Sequence, residues 1–214
     1  MRQRIFIFWV VGLLGWAGVA RSEVYIDAGA KLWYAEPKGT DSALMYGPSA
    51  ILRVGDLYWV RAFFLYGEYD YIQSHEPRVV QDFGIHDAEI VGGVNCDIFH
   101  VGLGARWTSI PIREEAGDRS RARRPNAVGP ALVAGASQSF SEYPWGFQGT
   151  PWGWYAGASW MFYDVEDDDG EHLNLEAGIS HMSHGFYKSI GFRFKDTFDH
   201  ERMEGFVVSL LFEF

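Results

Sequence analysis

The last eleven residues constrain the fold most. They read Glu204-Gly205-Phe206-Val207-Val208-Ser209-Leu210-Leu211-Phe212-Glu213-Phe214. In an extended strand successive side chains point to opposite faces. Phe206, Val208, Leu210, Phe212 and Phe214 then share one wholly apolar face, and Val207, Ser209, Leu211 and Glu213 form a mixed one. So apolar a strand is an aggregation hazard at the edge of a soluble sheet. It is stable where the apolar face meets lipid and the sheet closes on itself, since backbone groups in lipid find partners only within the protein.

Nine further segments repeat the pattern. Val24, Ile26, Ala28, Ala30, Leu32 and Tyr34 alternate with Asp27 and Lys31. Tyr46, Ala50, Leu52 and Val54 oppose Ser49 and Arg53, and Tyr58, Val60, Ala62, Phe64 and Tyr66 oppose Arg61. Ala88, Ile90, Gly92, Val94 and Cys96 face away from Asp87 and Glu89. Phe99, Val101, Leu103, Ala105 and Trp107 face away from His100 and Arg106. A strand follows from Gly129 to about Gln138, then one over 151–163 with Trp152, Trp154, Trp160 and Phe162 on one face. Leu173, Leu175, Ala177 and Ile179 oppose Glu176, and Ile190, Phe192 and Phe194 oppose Arg193.

Ten strands result, joined by alternately longer and shorter connections. The longer ones are 35–43, 70–85, 108–128, 164–171 and 195–203. The shorter ones are Gly55-Asp56, Asp97-Ile98, 139–150 and 182–185, of which only 139–150 is long. This is the pattern of a transmembrane barrel with short periplasmic turns and longer outer loops. Aromatic residues near strand ends (Tyr34, Tyr46, Tyr58, Tyr66, Phe99, Trp107, Trp152, Trp160, Phe194 and Phe214) suit two interfacial girdles. The expected fold class is all-β, a transmembrane antiparallel up-and-down barrel, with eight or twelve strands as alternatives. A soluble antiparallel barrel or sandwich has the same period, with its apolar side turned inward. Pro48 and Pro130 each follow a Gly and each remove a ladder donor, so both are expected at strand starts on the outer rim.

The terminal strand resembles the C-terminal strand of bacterial outer-membrane β-barrels, which ends in an aromatic residue read by the assembly machinery. That resemblance implies recognition of Phe214 by the machinery and residence in the bacterial outer membrane.

Residues Met1 to Arg4 are basic, Ile5 to Ala20 carry no charge, and Gly18-Val19-Ala20 offers a small-x-small cleavage site. This predicts a signal peptide over 1–20 and a barrel domain over 21–214. An anchoring helix would be the alternative, but the apolar run is short for one. Loss of Arg2 and Arg4 takes the formal charge from −10 to −12, which disfavours nucleic acid as a partner. Cys96 is the single cysteine, so no intrachain disulfide forms.

On the barrel reading Asp27, Lys31, Arg53, Arg61, Asp87, Glu89, His100, Arg106, Glu176, Arg193 and Glu213 point into the lumen. A small barrel has room for little more than side chains. The charges therefore form either a structural plug of carboxylate–guanidinium pairs or a narrow polar channel. Interleaved Gly29, Gly93, Gly102, Gly104, Gly157 and Gly178 suit close filling. Arg113, Arg119, Arg121, Arg123 and Arg124 in the longest loop could contact lipopolysaccharide phosphates. The acidic stretch Asp164 to Glu171 lacks the first ligand of a calcium loop, where Val165 stands, and reads as a solvated loop that could hold bridging divalent cations.

His181-Met182-Ser183-His184 resembles the His-x-Ser-Asn motif of the outer-membrane lipid A 3-O-deacylases. The resemblance implies His181 as general base and Ser183 as nucleophile in an acyl-ester hydrolase. His184 replaces the Asn, and Lys195 stands where the family has an acid, leaving Glu201 or Glu204 for that role. The expected topology puts this turn on the periplasmic side. The non-enzymatic reading is a barrel whose loops meet lipopolysaccharide or an extracellular partner. No metal site and no cofactor motif is expected.

Overall fold

A computed structural model describes residues 23–37, 42–75, 78–109, 112–116, 119–123, 126–140, 151–165, 168–197 and 201–214. The expected signal peptide lies outside them. Ten strands close a barrel in which each pairs antiparallel with its sequence neighbour. They are β1 (Val24–Pro37), β2 (Ala43–Val54), β3 (Tyr58–His75), β4 (Arg78–Cys96), β5 (Phe99–Ser109), β8 (Asn126–Ser139), β9 (Trp152–Val165), β10 (Asp168–Ser183), β11 (Phe186–Thr197) and β12 (Glu201–Glu213). Between β5 and β8, β6 (Ile112–Ala116) and β7 (Arg119–Arg123) form a separate two-stranded hairpin.

The first and last strands make the seam. β1 pairs with β12 from Asp27↔Glu213 to Pro37↔Met203. The end holding Glu23 and Phe214 is the proximal end, and the other the distal end. The proximal turns at Gly55, Asp97 and His184 are tight. His184 and Gly185 form a two-residue turn with φ of 51° and 73°, the left-handed pair that a type I′ hairpin requires. The turn at Gly55 has three residues rather than two, because Val54 pairs with Tyr58.

The wall is apolar outside. Leu103, Val128 and Phe206 are 60 %, 64 % and 63 % exposed, whereas Arg106 and Arg193 are 1 % and 0 % exposed. A fold that buries guanidinium groups and exposes leucines is inverted relative to a water-soluble one. The fold is therefore a transmembrane antiparallel up-and-down barrel, and the soluble alternative is set aside. β5, at about 3.3 Å per residue and a tilt of ~40°, spans roughly 28 Å, enough for the ~25 Å apolar band of such barrels. Tyr34, Tyr46, Tyr66 and Trp107 on the distal outer wall, and Phe99, Trp152 and Phe214 on the proximal one, are all exposed aromatics.

Several expected loops are strand. The loop expected over 70–85 is the tip of the β3–β4 hairpin, paired to His75↔Arg78. Residues 108–128 include the β6–β7 hairpin, and the segments 164–171 and 195–203 are largely taken up by β9–β10 and β11–β12. The sequence pattern of alternation fades there, but backbone pairing continues. Pro48 and Pro130 lie inside strands on the outer face, not at strand starts. Each keeps a partner on one side (Ala30 and Ala105). On the other side the ladder skips Pro48, and it begins only after Pro130. The preceding Gly47 and Gly129 let the backbone of β3 and β9 approach where a Cβ would collide with Phe64 O and Phe162 O.

Leu103→Arg should cost roughly 2–4 kcal/mol of folding stability in lipid vesicles, read by urea titration, because it sets a charge against hydrocarbon. A similar stability for the variant would show that this face does not meet lipid.

Candidate functional site

The inward faces hold the chemistry. All the side chains expected in the lumen lie on the inner parity of their strands, and several bond across the interior to strands that are not neighbours. Lys31 on β1 meets Glu176 on β10 at 2.6 Å. Ser159 on β9 donates to Glu89 on β4 at 2.6 Å. Arg193 on β11 donates through Nη2 to Asp87 on β4. Such bonds tie opposite walls together.

Asp87 is the hub. Arg106 grips it in a fork, Nε to Oδ1 at 2.9 Å and Nη2 to Oδ2 at 2.6 Å, with all four groups buried. This bidentate geometry is the strong form of the contact. Arg106 also reaches Glu89 through Nη1 at 3.3 Å, and Arg61 donates to Glu89 at 2.8 Å. Arg193 donates through Nε to Asn174 Oδ1 at 2.6 Å. Nearer the proximal rim, Arg53 meets Asp27 at 2.8 Å and Glu213 at 3.8 Å, where its side chain is about a third exposed. His100 stands edge-on to the Trp59 ring, 5.8 Å between centroids.

Apolar side chains fill the lumen beside this network, with Leu65 paired to Asp87 and Phe63 to Glu89 along the β3–β4 ladder. Trp33, Ala35, Ala43, Met45, Phe63, Leu65, Ile85, Met203 and Val207 form one buried apolar cluster inside the wall. Rings join the two groups. The Arg193 guanidinium carbon lies 4.5 Å from the Trp33 ring centroid and 5.2 Å from that of Phe63, and Lys31 Nζ lies 5.2 Å from Phe63. Desolvated cation–π contacts of this kind stabilise a charge that has left water.

Glycine makes room for the larger inward rings. A Cβ at Gly93 or Gly102 would lie 2.6 Å or 2.8 Å from the Trp59 indole, so that ring occupies a notch cut by two glycines. The expected interleaving of large and small residues is realised there.

Some participants escape the sequence reading. Lys195, His172 and Thr108 are buried and polar, as are Asn174 and Ser159, which alternation already sets opposite the apolar faces, and Lys195 donates to Thr108 Oγ1 at 2.7 Å. Lys195 and Thr108 were placed in loops. Extending the inward parity from Arg193 by two residues gives Lys195, and from Glu176 backwards gives Asn174 and His172.

His181 and Ser183 lie near the proximal end of β10, on its outer parity. His181 packs against Trp152 with ring centroids 4.7 Å apart, and no hydrogen bond joins it to Ser183 among the described residues. A Ser–His contact exists elsewhere: Ser109 Oγ lies 3.1 Å from His86 Nδ1 beside Trp107. Ser109 is 1 % exposed, so its hydroxyl offers no open nucleophile. Arg119, Arg121 and Arg123 lie in β7, with Arg121 opposite Glu114, while Arg124 lies outside the described residues. Among the described residues no three His, Cys, Asp or Glu side chains gather as a metal site.

The fold and this interior define a ten-stranded transmembrane β-barrel with a cross-braced ionic layer. No protein-family model and no curated protein sequence matches the chain. Solved structures similar to it include the translocator domain of the autotransporter NalP from Neisseria meningitidis, at 13% identity and TM-score 0.48, covering 99% of this chain and 95% of that one. The β-domain of the Bordetella autotransporter BrkA is similar at 13% identity and TM-score 0.45, covering 90% of this chain and 99% of that one. The N-terminal β-barrel domain of Pseudomonas aeruginosa OprF is similar at 13% identity and TM-score 0.35, covering 91% of this chain and 100% of that one.

Removing one member of a buried pair strands the other charge. Asp87→Ala should therefore cost about 3–5 kcal/mol in urea titration of the folded barrel. Arg53→Ala, at the wetter proximal rim, should cost no more than ~1 kcal/mol. Equal costs at the two sites would remove Asp87 from its central place.

Proposed function

We propose that the chain is a non-enzymatic protein of the bacterial outer membrane, with a sealed lumen, that anchors distal hairpins at the cell surface. The observation that carries this reading is the filled interior. The Asp87–Arg106–Arg193 bonds cross the lumen, and the Trp33–Met45–Leu65–Ile85–Met203 cluster fills the space beside them. A hydrated ion crossing would have to break buried ionic bonds or wet the apolar cluster. Either step costs several kcal/mol. The plug is thus favoured over the narrow polar channel. The apolar outer wall supports the outer-membrane placement, and the long β3–β4 hairpin and the β6–β7 hairpin at the distal end favour that end as the outer one, with the proximal end in the periplasm.

At the distal end the β6–β7 hairpin contributes Arg119, Arg121 and Arg123. We assign to these residues contact with the phosphates of lipopolysaccharide, which guanidinium groups recognise by paired hydrogen bonds. Phe214 is the residue offered to the assembly machinery.

Two measurements test this function. In planar bilayers the purified protein should give no current steps above background, and reproducible steps would restore the channel. Replacing Arg119, Arg121 and Arg123 with Ser should weaken binding to lipopolysaccharide at least tenfold, with little change for dephosphorylated lipopolysaccharide. Undiminished binding to the phosphorylated form would remove the assignment.

A further inference from the structure

The ionic layer has more donors than acceptors. Arg193 is fully buried and uses Nε on Asn174 and Nη2 on Asp87, yet Nη1 has no acceptor among the described residues. His172 is also fully buried, and neither ring nitrogen has a hydrogen-bond partner among those residues. The charged side chains around it include Arg106, Lys195, Asp87 and Arg193.

The nearby carboxylates are already committed. Asp87 serves Arg106 and Arg193, Glu89 serves Arg61, Arg106 and Ser159, and Glu176 serves Lys31. With Lys195 left aside, Lys31, Arg61, Arg106 and Arg193 face only these three carboxylates. A buried guanidinium N–H without an acceptor is costly, and such groups in native proteins are met by water or an ion.

We infer that the layer binds a small monatomic anion, a halide, at Arg193 Nη1 with His172 as second donor. The excess of positive charge favours an anion over water. The Trp33 and Phe63 rings flank the Arg193 guanidinium, which leaves its Nη1 edge for the ligand and suits a compact, weakly hydrated ion. Asn174, which holds Arg193 Nε, sits two residues from His172 on β10, a rise of about 6.6 Å. Arg193 pairs with Glu176 and leans through Nε to Asn174, so its guanidinium stands at the inward position next to that of His172. The anion adds the missing acceptor and lowers the net charge of the plug. The inference goes beyond the anchoring function and does not depend on the absence of conductance.

The test uses the full barrel in detergent with sodium bromide, sodium chloride or sodium gluconate at equal ionic strength. Bromide and chloride should raise the unfolding midpoint saturably by roughly 2–4 °C over gluconate, which is too large for the layer. Crystals grown in bromide should show an anomalous peak beside Arg193 Nη1. His172→Phe should reduce the halide-dependent shift by at least half. If that variant does not fold, the anomalous peak of the unaltered protein decides alone. Equal midpoints in all three salts, no peak at Arg193, or an unreduced shift in His172→Phe would each overturn the inference.

Discussion

The structure depends on one constraint: inside hydrocarbon, every backbone N–H and C=O must find a partner within the chain. The seam between β1 and β12 meets it. Without that pairing the two strands would present open edges to lipid. Once the sheet is closed, its outer face can be wholly apolar, and Phe206, Val128 and Leu103 stand on it without penalty. The same closure shields the interior. Charges that enter it lose bulk water and must be matched by one another. The outer hydrophobicity and the inner ionic bonds are two consequences of one closed ladder.

Within the wall, the cross-lumen bonds do what a hydrophobic core does in a soluble protein. Asp87 draws Arg106 and Arg193 together, Glu89 adds Arg61 and Ser159, and Lys31–Glu176 braces β1 against β10. The apolar cluster packs beside this network. Phe63 and Trp33 lie at the boundary, with apolar neighbours in the cluster and the Arg193 guanidinium against their rings. Because the filling is dense, position matters. Trp59 fits only where Gly93 and Gly102 leave no Cβ, so a change in either glycine would displace an inward ring and not merely add a methyl group.

Much of this was legible from alternation alone. The outward faces from Val24 to Phe214 and the inward places of Asp87, Arg106 and Arg193 follow from a period of two over lipid-spanning stretches. The count of ten strands follows as well. What alternation could not place lies where lipid no longer imposes it. Residues 70–75 and 78–85 pair along the β3–β4 ribbon although their sequence carries no sustained apolar alternation, so they read as loop. Lys195 and His172 sit beyond the last clearly apolar outward residues of their strands and were lost with those boundaries. The apolar cluster was hidden for a different reason. Trp33, Met45, Leu65 and Ile85 are apolar residues on inward faces, and along each strand they resemble imperfections in the pattern. Only the closed barrel brings them into one cluster. Pro48 and Pro130 misled because a missing donor usually marks a strand boundary, while here one side of each strand retains its pairing.

The direction of the two faces can be measured through tryptophan. Single-tryptophan variants retaining Trp107, Trp152 or Trp160 on the outer wall, or Trp33 or Trp59 inside, would be refolded into vesicles of lipids brominated along the acyl chain. The three outer residues should lose most of their fluorescence relative to unbrominated vesicles. Trp33 and Trp59 should lose little. Strong quenching of Trp33 and Trp59 with protection of Trp107, Trp152 and Trp160 would contradict the inverted barrel, and with it the account of the sealed interior.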